Sequence, residues 1–418
     1  MRKLISKYCR IQHELGVGNL CAAWVIVLAA YLLLAANSVS AATPAGSYNY
    51  TRLEIAGLSD SYHVAFHPDG SYAVVMEHSN RIHVIDWASR SVVTHDLTPD
   101  SGGLFWKDIL FDPGGDFALI VGYHTDSTTE AVVFRLDDSL YRSGGTTAQV
   151  FSEFISVRVE GRYTAIEMPE DGGLPVVLWH NLNFLNNIIR LRDIDPSIQD
   201  FGSFNVAVNS DAGCDDLAFV DNESGEFGIL VVCGNNGADH LFYTEVGGTG
   251  EWRSKPGENS TGNIPVASIH PGGDYALVVS TSAHRLLRFE AGLMGSSIDA
   301  PRFATQAISH VAFASDGQMA LIVGRAGGDP LSGTVLEYRH DLYTVDEITD
   351  ISITGFDLAP YLATSNTWLR GSAWRPGCDG GLIVGGETGG AGQLIEFSLD
   401  GGVSCVATDL VFADSFEQ

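Results

Sequence analysis

Four side chains of metal-binding and proton-transferring type recur at one place in a repeated phrase. His63, Asp108, Asp216 and His310 each open a short apolar run: His63-Val-Ala-Phe, Asp108-Ile-Leu-Phe, Asp216-Leu-Ala-Phe and His310-Val-Ala-Phe. Imidazole nitrogens and carboxylate oxygens ligate divalent cations, and the same groups act as general acids and bases. If the runs they open are equivalent strands around an axis, the four stand at one level, near the mouth of a central channel. A cation held there would polarise a carbonyl or activate water, which is the chemistry of a metal-assisted, lactonase-like hydrolase. The plainer expectation is that histidine and aspartate at strand starts bond the backbone of the adjacent repeat. The other copies of the phrase align Thr164, Val266 and Gly371 with this position, although Glu167 then falls where the rest carry a large apolar residue.

The elements that must position these residues are spelled out by the phrase itself. Tyr62 to Met76 reads as two β-rich runs around Pro68-Asp69-Gly70. Proline presets φ and glycine accepts the positive φ of a tight reversal. The phrase recurs at 107–122, 266–279, 310–324 and 371–385, with weaker copies at 164–179 and 216–233, seven in all. The spacing is roughly 50 residues, which suits a four-stranded propeller blade and exceeds a leucine-rich or ankyrin repeat. Apolar stretches such as Ala-Leu-Ile-Val are nearly continuous, as in strands covered on both faces. The expected fold is therefore an all-β, seven-bladed β-propeller of four-stranded antiparallel blades spanning residues 42–408. Tyr50 to Ile55 is expected to close the ring as the outer strand of the last blade. His67, Asp112, His270 and Arg375 each precede a turn proline, a repetition that favours turn capping.

The ends of the chain fall outside this pattern. Residues 1–41 combine a basic start, an apolar run from Leu20 to Ala36 and the small residues Val39-Ser40-Ala41, which reads as a cleaved secretory signal. Left uncleaved, the run nearly reaches spanning length and would be the chain's membrane contact. An exported destination, periplasmic or extracellular, follows. The net charge of −28 repels nucleic acid and anionic membranes and favours solubility as a monomer. Beyond the leader lie Cys214, Cys233, Cys378 and Cys405, an even number suited to disulfides, with Cys214–Cys233 and Cys378–Cys405 favoured because each pair lies within one repeat. The acidic stretch from Asp221 to Glu226 fits no EF-hand, and Trp252 in the segment 247–263 is a candidate contact residue.

The strand, Pro-Asp-Gly turn and second strand resemble the bacterial propeller repeats of the TolB and WD40-like β-propeller group. The resemblance covers most of the chain beyond residue 41 and implies fold rather than activity. The terminal residues 409–418, Asp409 to Gln418, form an acidic tail. It resembles the Phe-x-Asp-Gly-Phe-Glu tails of some exported proteobacterial proteins, with Ser415 in the glycine position, which implies sorting or handling; the alternative is a solvated terminus. No nucleophile elbow, Walker loop, His-Glu-x-x-His or dinucleotide fingerprint occurs. The sequence thus favours a non-enzymatic module that binds a protein, peptide or glycan. It implies no cofactor beyond a divalent cation at the His63, Asp108, Asp216 and His310 level, and the hydrolase stands as the alternative.

Overall fold

A computed structural model describes residues 48–399 apart from 79–80, 97–103, 125–129, 138–150, 154–158, 161, 169–174, 181–185, 191–202, 207–212, 222–226, 236–237, 246–252, 257–265, 272–274, 280–283, 291–292, 301–305, 316, 318, 327–332, 340–352, 358–366, 378–379 and 388–389. The leader, Cys378, Cys405, Trp252 and the acidic tail lie outside the described residues, as does the acidic stretch beyond Asp221.

Every described element is a strand, and the strands form seven antiparallel sheets. Sheet I holds β2 (Ser61–Phe66), β3 (Tyr72–Glu77), β4 (Arg81–Asp86) and β5 (Val92–Asp96). Sheet II holds β6 (Leu104–Phe111), β7 (Phe117–His124), β8 (Glu130–Asp137), β9 (Phe151–Glu153) and β10 (Val159–Glu160). Sheet III holds β11 (Arg162–Glu167), β12 (Val176–His180), β13 (Asn186–Arg190) and β14 (Ser203–Val206). Sheet IV holds β15 (Gly213–Asp221), β16 (Phe227–Asn235), β17 (Ala238–Glu245) and β18 (Arg253–Pro256). Sheet V holds β19 (Val266–Ile269), β20 (Tyr275–Val279), β21 (His284–Glu290) and β22 (Leu293–Ala300). Sheet VI holds β23 (Gln306–Phe313), β24 (Met319–Ala326), β25 (Gly333–Arg339) and β26 (Ile353–Asp357). Sheet VII holds β27 (Trp368–Trp374), β28 (Gly380–Gly386) and β29 (Gly392–Leu399), and its outermost strand is β1 (Tyr48–Leu53) from the other end of the chain.

The second strand of each sheet explains the continuous apolar spelling. Side chains alternate across a strand, so each second strand serves two neighbours. In β3, Ala73 and Val75 pack with Leu382 and Val384 of sheet VII, whereas Val74 and Met76 pack with Trp106, Ile109 and Ile120 of sheet II. In β7, Leu119 and Val121 continue the pattern toward Tyr163 and Ile166 of sheet III. Leu230 and Val232 meet Ala276 and Val278 between sheets IV and V, and Leu321 and Val323 meet Ile383 and Phe397 between sheets VI and VII. First strands adjoin in the same order: β6 with β11, β11 with β15, β15 with β19, β19 with β23, β23 with β27, and β2 with both β27 and β6.

A β-bulge near the start of the first strand recurs in six sheets. The extra residues are Tyr62, Lys107, Thr164, Asp215, Ser309 and Arg370. The glycine that closes the phrase sits opposite this crowding. A Cβ on Gly122 would stand 2.1 Å from the Phe105 carbonyl oxygen, and one on Gly385 would stand 2.2 Å from that of Trp368. The bulge also corrects one alignment. Thr164 is itself the extra residue, so Ala165, paired with Leu178, holds the position that Thr164 was expected to hold, and Met168 supplies the large apolar residue three places on. The same bulge is present in five other sheets, so the slip lies in the spelling: Glu167 interrupts the apolar run that fixes the alignment elsewhere.

At the other end of the first strands, turn glycines take left-handed φ: Gly70 at 68°, Gly115 at 78° and Gly317 at 69°. Gly115 is pinned further, because a Cβ there would lie 2.3 Å from His67 Nε2 of sheet I. Gly57 also has a positive φ of 76°, but its nearest neighbour would be Arg81 Nη1 at 3.9 Å. Alanine at Gly57 therefore meets only backbone strain, about 1–2 kcal/mol. Gly115→Ala adds eviction of His67, and is expected to lower stability at least twice as much in urea unfolding. Equal midpoints for the two variants would show that His67 yields freely.

Candidate ligand-binding mouth

The residues at position one of the phrase are placed between sheets, and their partners are mostly backbone. Asp108 accepts from its own neighbour Ile109 N at 2.8 Å and from Ile166 N of sheet III at 3.0 Å. Asp216 repeats the pattern with Leu217 N at 2.9 Å and Ala267 N of sheet V at 2.8 Å. His310 Nδ1 lies 3.3 Å from Ser372 N and 3.2 Å from Ser372 Oγ in sheet VII. Each therefore reaches the second residue of the next sheet's phrase, which is the bonding the plainer expectation describes. Val266 has no polar atom to offer, and Gly371 leaves no room for one: a Cβ there would stand 2.6 Å from the Tyr62 carbonyl oxygen.

The four do not converge as a ligand set. Among the described residues, no three histidine, cysteine, aspartate or glutamate side chains come together closely enough to hold a metal ion. His63 Nδ1 does approach Asp108 Oδ1, at 3.9 Å. That contact is not an ion pair at neutral pH, because burial, helped by His310 and Lys107, pushes the His63 imidazole down to about 3. Burial alone pushes His310 down to about 4. Asp108 goes the other way: burial pushes its carboxyl up to about 7, against the two N–H bonds it accepts. Glu167 was not foreseen as part of this level. It is raised well above the usual carboxylate range, first by burial and then by the charges of Asp108 and Asp216, with a backbone bond from Met168 opposing.

The turn end is a series of latches. His67 Nε2 meets the Gly115 carbonyl oxygen of sheet II at 2.9 Å, while its Nδ1 lies 3.2 Å from Asp69 N within its own turn. Arg375 of sheet VII donates from Nε to the Gly70 carbonyl oxygen of sheet I at 2.7 Å. His270 packs over Gly317, where a Cβ would stand 2.1 Å from its Nε2. His67 does cap its turn, as the phrase suggests, and His67 and Arg375 also tie one sheet's turn to the next. Asp112 keeps the local role, accepting from Gly114 N at 3.0 Å.

The bulge end carries rings and cations instead. Arg325 of sheet VI stacks 4.2 Å from the Trp368 ring of sheet VII, and Trp368 Nε1 donates to Ser309 Oγ. Arg370 lies between Trp368, at 4.6 Å, and Tyr62 of sheet I, at 4.2 Å, and makes a bidentate pair with Asp60 at 3.1 and 3.0 Å. Tyr62 stacks on His78 at 4.6 Å, and His78 meets Phe105 of sheet II edge-on at 4.3 Å. Phe105 stacks on Tyr123 at 5.5 Å, and Arg162 of sheet III covers Tyr123 at 4.7 Å. Arg162 is exposed and the other rings and cations of this arc are half-buried. Sequence reasoning missed it because its members come from five sheets. The signal that was present is the polar or aromatic residue standing just ahead of each apolar run, at the bulge.

Comparison with solved structures places this architecture. The β-propeller domain of Cps50 (Swd1) from Myceliophteria thermophila matches with a TM-score of 0.56 at 12% identity, over 84% of this chain and 100% of that one. Likeness at that identity carries the fold, so the chain is an all-β, antiparallel β-propeller protein. No protein-family model and no curated protein matches the sequence, and the TolB-type resemblance therefore goes no further than fold.

The shifted carboxyl gives a test of the position-one level. The folded protein holds the Asp108 proton above the unfolded value of 3.8, up to about 7. Its contribution to stability is therefore full below the unfolded value and is lost as pH rises through 7. The lowered histidines act in the opposite sense, losing stability as pH falls below 6.5, and they cancel when wild type is compared with Asp108→Asn. The stability advantage of wild type over Asp108→Asn, read from urea midpoints, should be larger near about pH 5 than near about pH 8. A pH-independent difference would refute the raised carboxyl.

Proposed function

We propose that the chain is an exported, seven-bladed β-propeller, closed by its N-terminal strand, that works as a binding module through the mouth at the bulge end. Its ligand is a protein, peptide or glycan. The signal would span residues 1–41, the propeller 42–408 and the acidic tail 409–418. Closure in seven is supported by the register of β1 on β29 and by the core shared between sheets VII and I. It is supported also by the contacts of Arg375 with Gly70 and of Arg370 with Asp60, which join the last sheet to the first.

The observation that carries the binding reading is the difference between the two ends. Turn-end side chains are spent on the next sheet's turn, as with His67 and Arg375. Bulge-end side chains form a continuous, half-exposed run of rings and cations, and such amphipathic groups on a rigid scaffold are the usual material of recognition surfaces. The hydrolase alternative draws less support, since Asp108 and Asp216 are engaged by two backbone N–H groups each.

An unbiased peptide-display library panned against the full chain tests the reading. Enriched clones should lose binding to Phe105→Ala and Tyr123→Ala and keep it for Asp69→Ala at the turn end. Clones insensitive to both mouth substitutions would move the binding surface elsewhere.

The export half has its own test. Cys214 and Cys233 stand directly opposite in the β15–β16 register, and we propose that they are bridged. Peptide mapping without reductant should recover the Cys214–Cys233 link. Reduction should cost about 3 kcal/mol, the expectation for a loop of this size. Quantitative alkylation of both thiols in the untreated protein would overturn it.

A further inference from the structure

We propose that the arc of rings and cations binds an acidic, extended peptide segment of a protein partner. This rests on the mouth reading above and deepens it by naming the chemistry of the ligand. The first ground is a charge anomaly. The chain carries 51 acidic residues against 23 lysines and arginines. Four arginines elsewhere are paired with carboxylates, Arg52 with Glu54, Arg81 with Glu77, Arg90 with Glu396 and Arg135 with Asp137, while Arg375 at the turn end is spent on the Gly70 carbonyl oxygen. At the bulge end, Arg162, Arg325 and Lys107 pair with no carboxylate among the described residues, while Arg370 alone is neutralised, by Asp60. Cations kept clear of carboxylates in so acidic a chain are held for an anion that arrives from outside.

The second ground is orientation. The guanidinium carbons of Arg162 and Arg325 lie over the Tyr123 and Trp368 rings, 4.7 and 4.2 Å from the centroids. A guanidinium held over a ring by cation–π attraction spends none of its N–H groups on that contact, and those groups can grip a carboxylate with two parallel bonds. The contact also removes rotamer freedom before binding, which lowers the entropic cost of capture. The third ground separates a peptide from an acidic glycan. A sugar needs an open ring face, but the faces here are taken by guanidinium planes or by other rings, as in Tyr62 on His78 and Phe105 on Tyr123. The arc sets cations among rings across sheets VI, VII, I, II and III, a pattern that suits carboxylates alternating with apolar side chains along an extended strand.

The probe is a fluorescent peptide of about a dozen residues alternating Asp or Glu with Phe or Leu, with its Asn and Gln isostere as comparison. Binding to the full chain is read by anisotropy. The acidic peptide should bind at least tenfold tighter than the amide, and Arg162→Gln with Arg325→Gln should remove most of that advantage. Arg52→Gln, on β1 and outside the arc, should leave it unchanged. A thermal melt establishes that the double variant is folded, and Lys107→Glu, a single charge reversal, gives an independent reading in the same direction. Equal affinity for acid and amide, unchanged binding by the folded double variant, or binding of polygalacturonate but not of the acidic peptide would each overturn the proposal. Display clones that depend on Phe105 and Tyr123 but are neutral or basic would sink the acid preference and leave the mouth reading standing. Clones indifferent to the mouth would sink both.

Discussion

A strand covered on both faces has no side of its own, and that constraint organises this molecule. The alternate residues of β3 divide between sheets VII and II, and those of β7 between sheets I and III. Sheets VII, I and II are therefore each half of two cores. Apolar burial of this kind is worth about 25 cal/mol per Å², but it accrues only when both neighbours are in place. Polar contacts between sheets then fix the angle and height at which the neighbours meet. Within sheet I, the fully buried Glu77 carboxylate ties β3 and β4 to the segment that links β1 to β2. It accepts from Ser59 N at 2.9 Å, Ser59 Oγ at 2.7 Å and Arg81 Nε at 2.9 Å, and it meets His83 Nε2 at 2.7 Å. A buried charge satisfied on every side specifies one arrangement where greasy surfaces alone would tolerate several.

Inter-sheet polar contacts divide the protein into two unlike ends. At the turn end, a side chain of one turn reaches the carbonyl of the next, and the backbone must be glycine to let it in. At the bulge end, the extra residue turns a side chain out of the sheet-to-sheet packing and toward the rim. Between them runs the position-one level, where Asp108, Asp216 and His310 hold the next strand by its amide. Uncharged imidazoles and a carboxyl inclined to keep its proton fit a place where burial outweighs hydration.

The sequence made the repeat, the turns and the doubly covered strands legible, because each is written in neighbouring residues. Pro68-Asp69-Gly70 announces its turn, and Ala118-Leu-Ile-Val announces its two cores. The pairing of Tyr50 with Phe397 follows the expectation for the strand that precedes the first phrase. What was not legible depends on relations across sheets. Thr164 slipped by one because Glu167 interrupts the apolar run that fixes the alignment in the other sheets. His310 looked like a ligand because its type suits metals, whereas its partner is the Ser372 amide and hydroxyl that the next sheet presents. The arc from Arg325 to Arg162 was invisible for the same reason: no two consecutive members of it in space, apart from the pair on β27, are close in the chain.

Sheet VII joins the earliest described strand to the latest, with Tyr48 opposite Leu399. During vectorial synthesis β1 emerges first and finds its partner last, after all the intervening sheets have appeared. A chain interrupted before β29 would leave that strand's ladder groups unmet on an otherwise complete array, with a bare edge ready to recruit a strand from another molecule. The architecture thus makes the appearance of β29 the step on which the pairing of β1 waits.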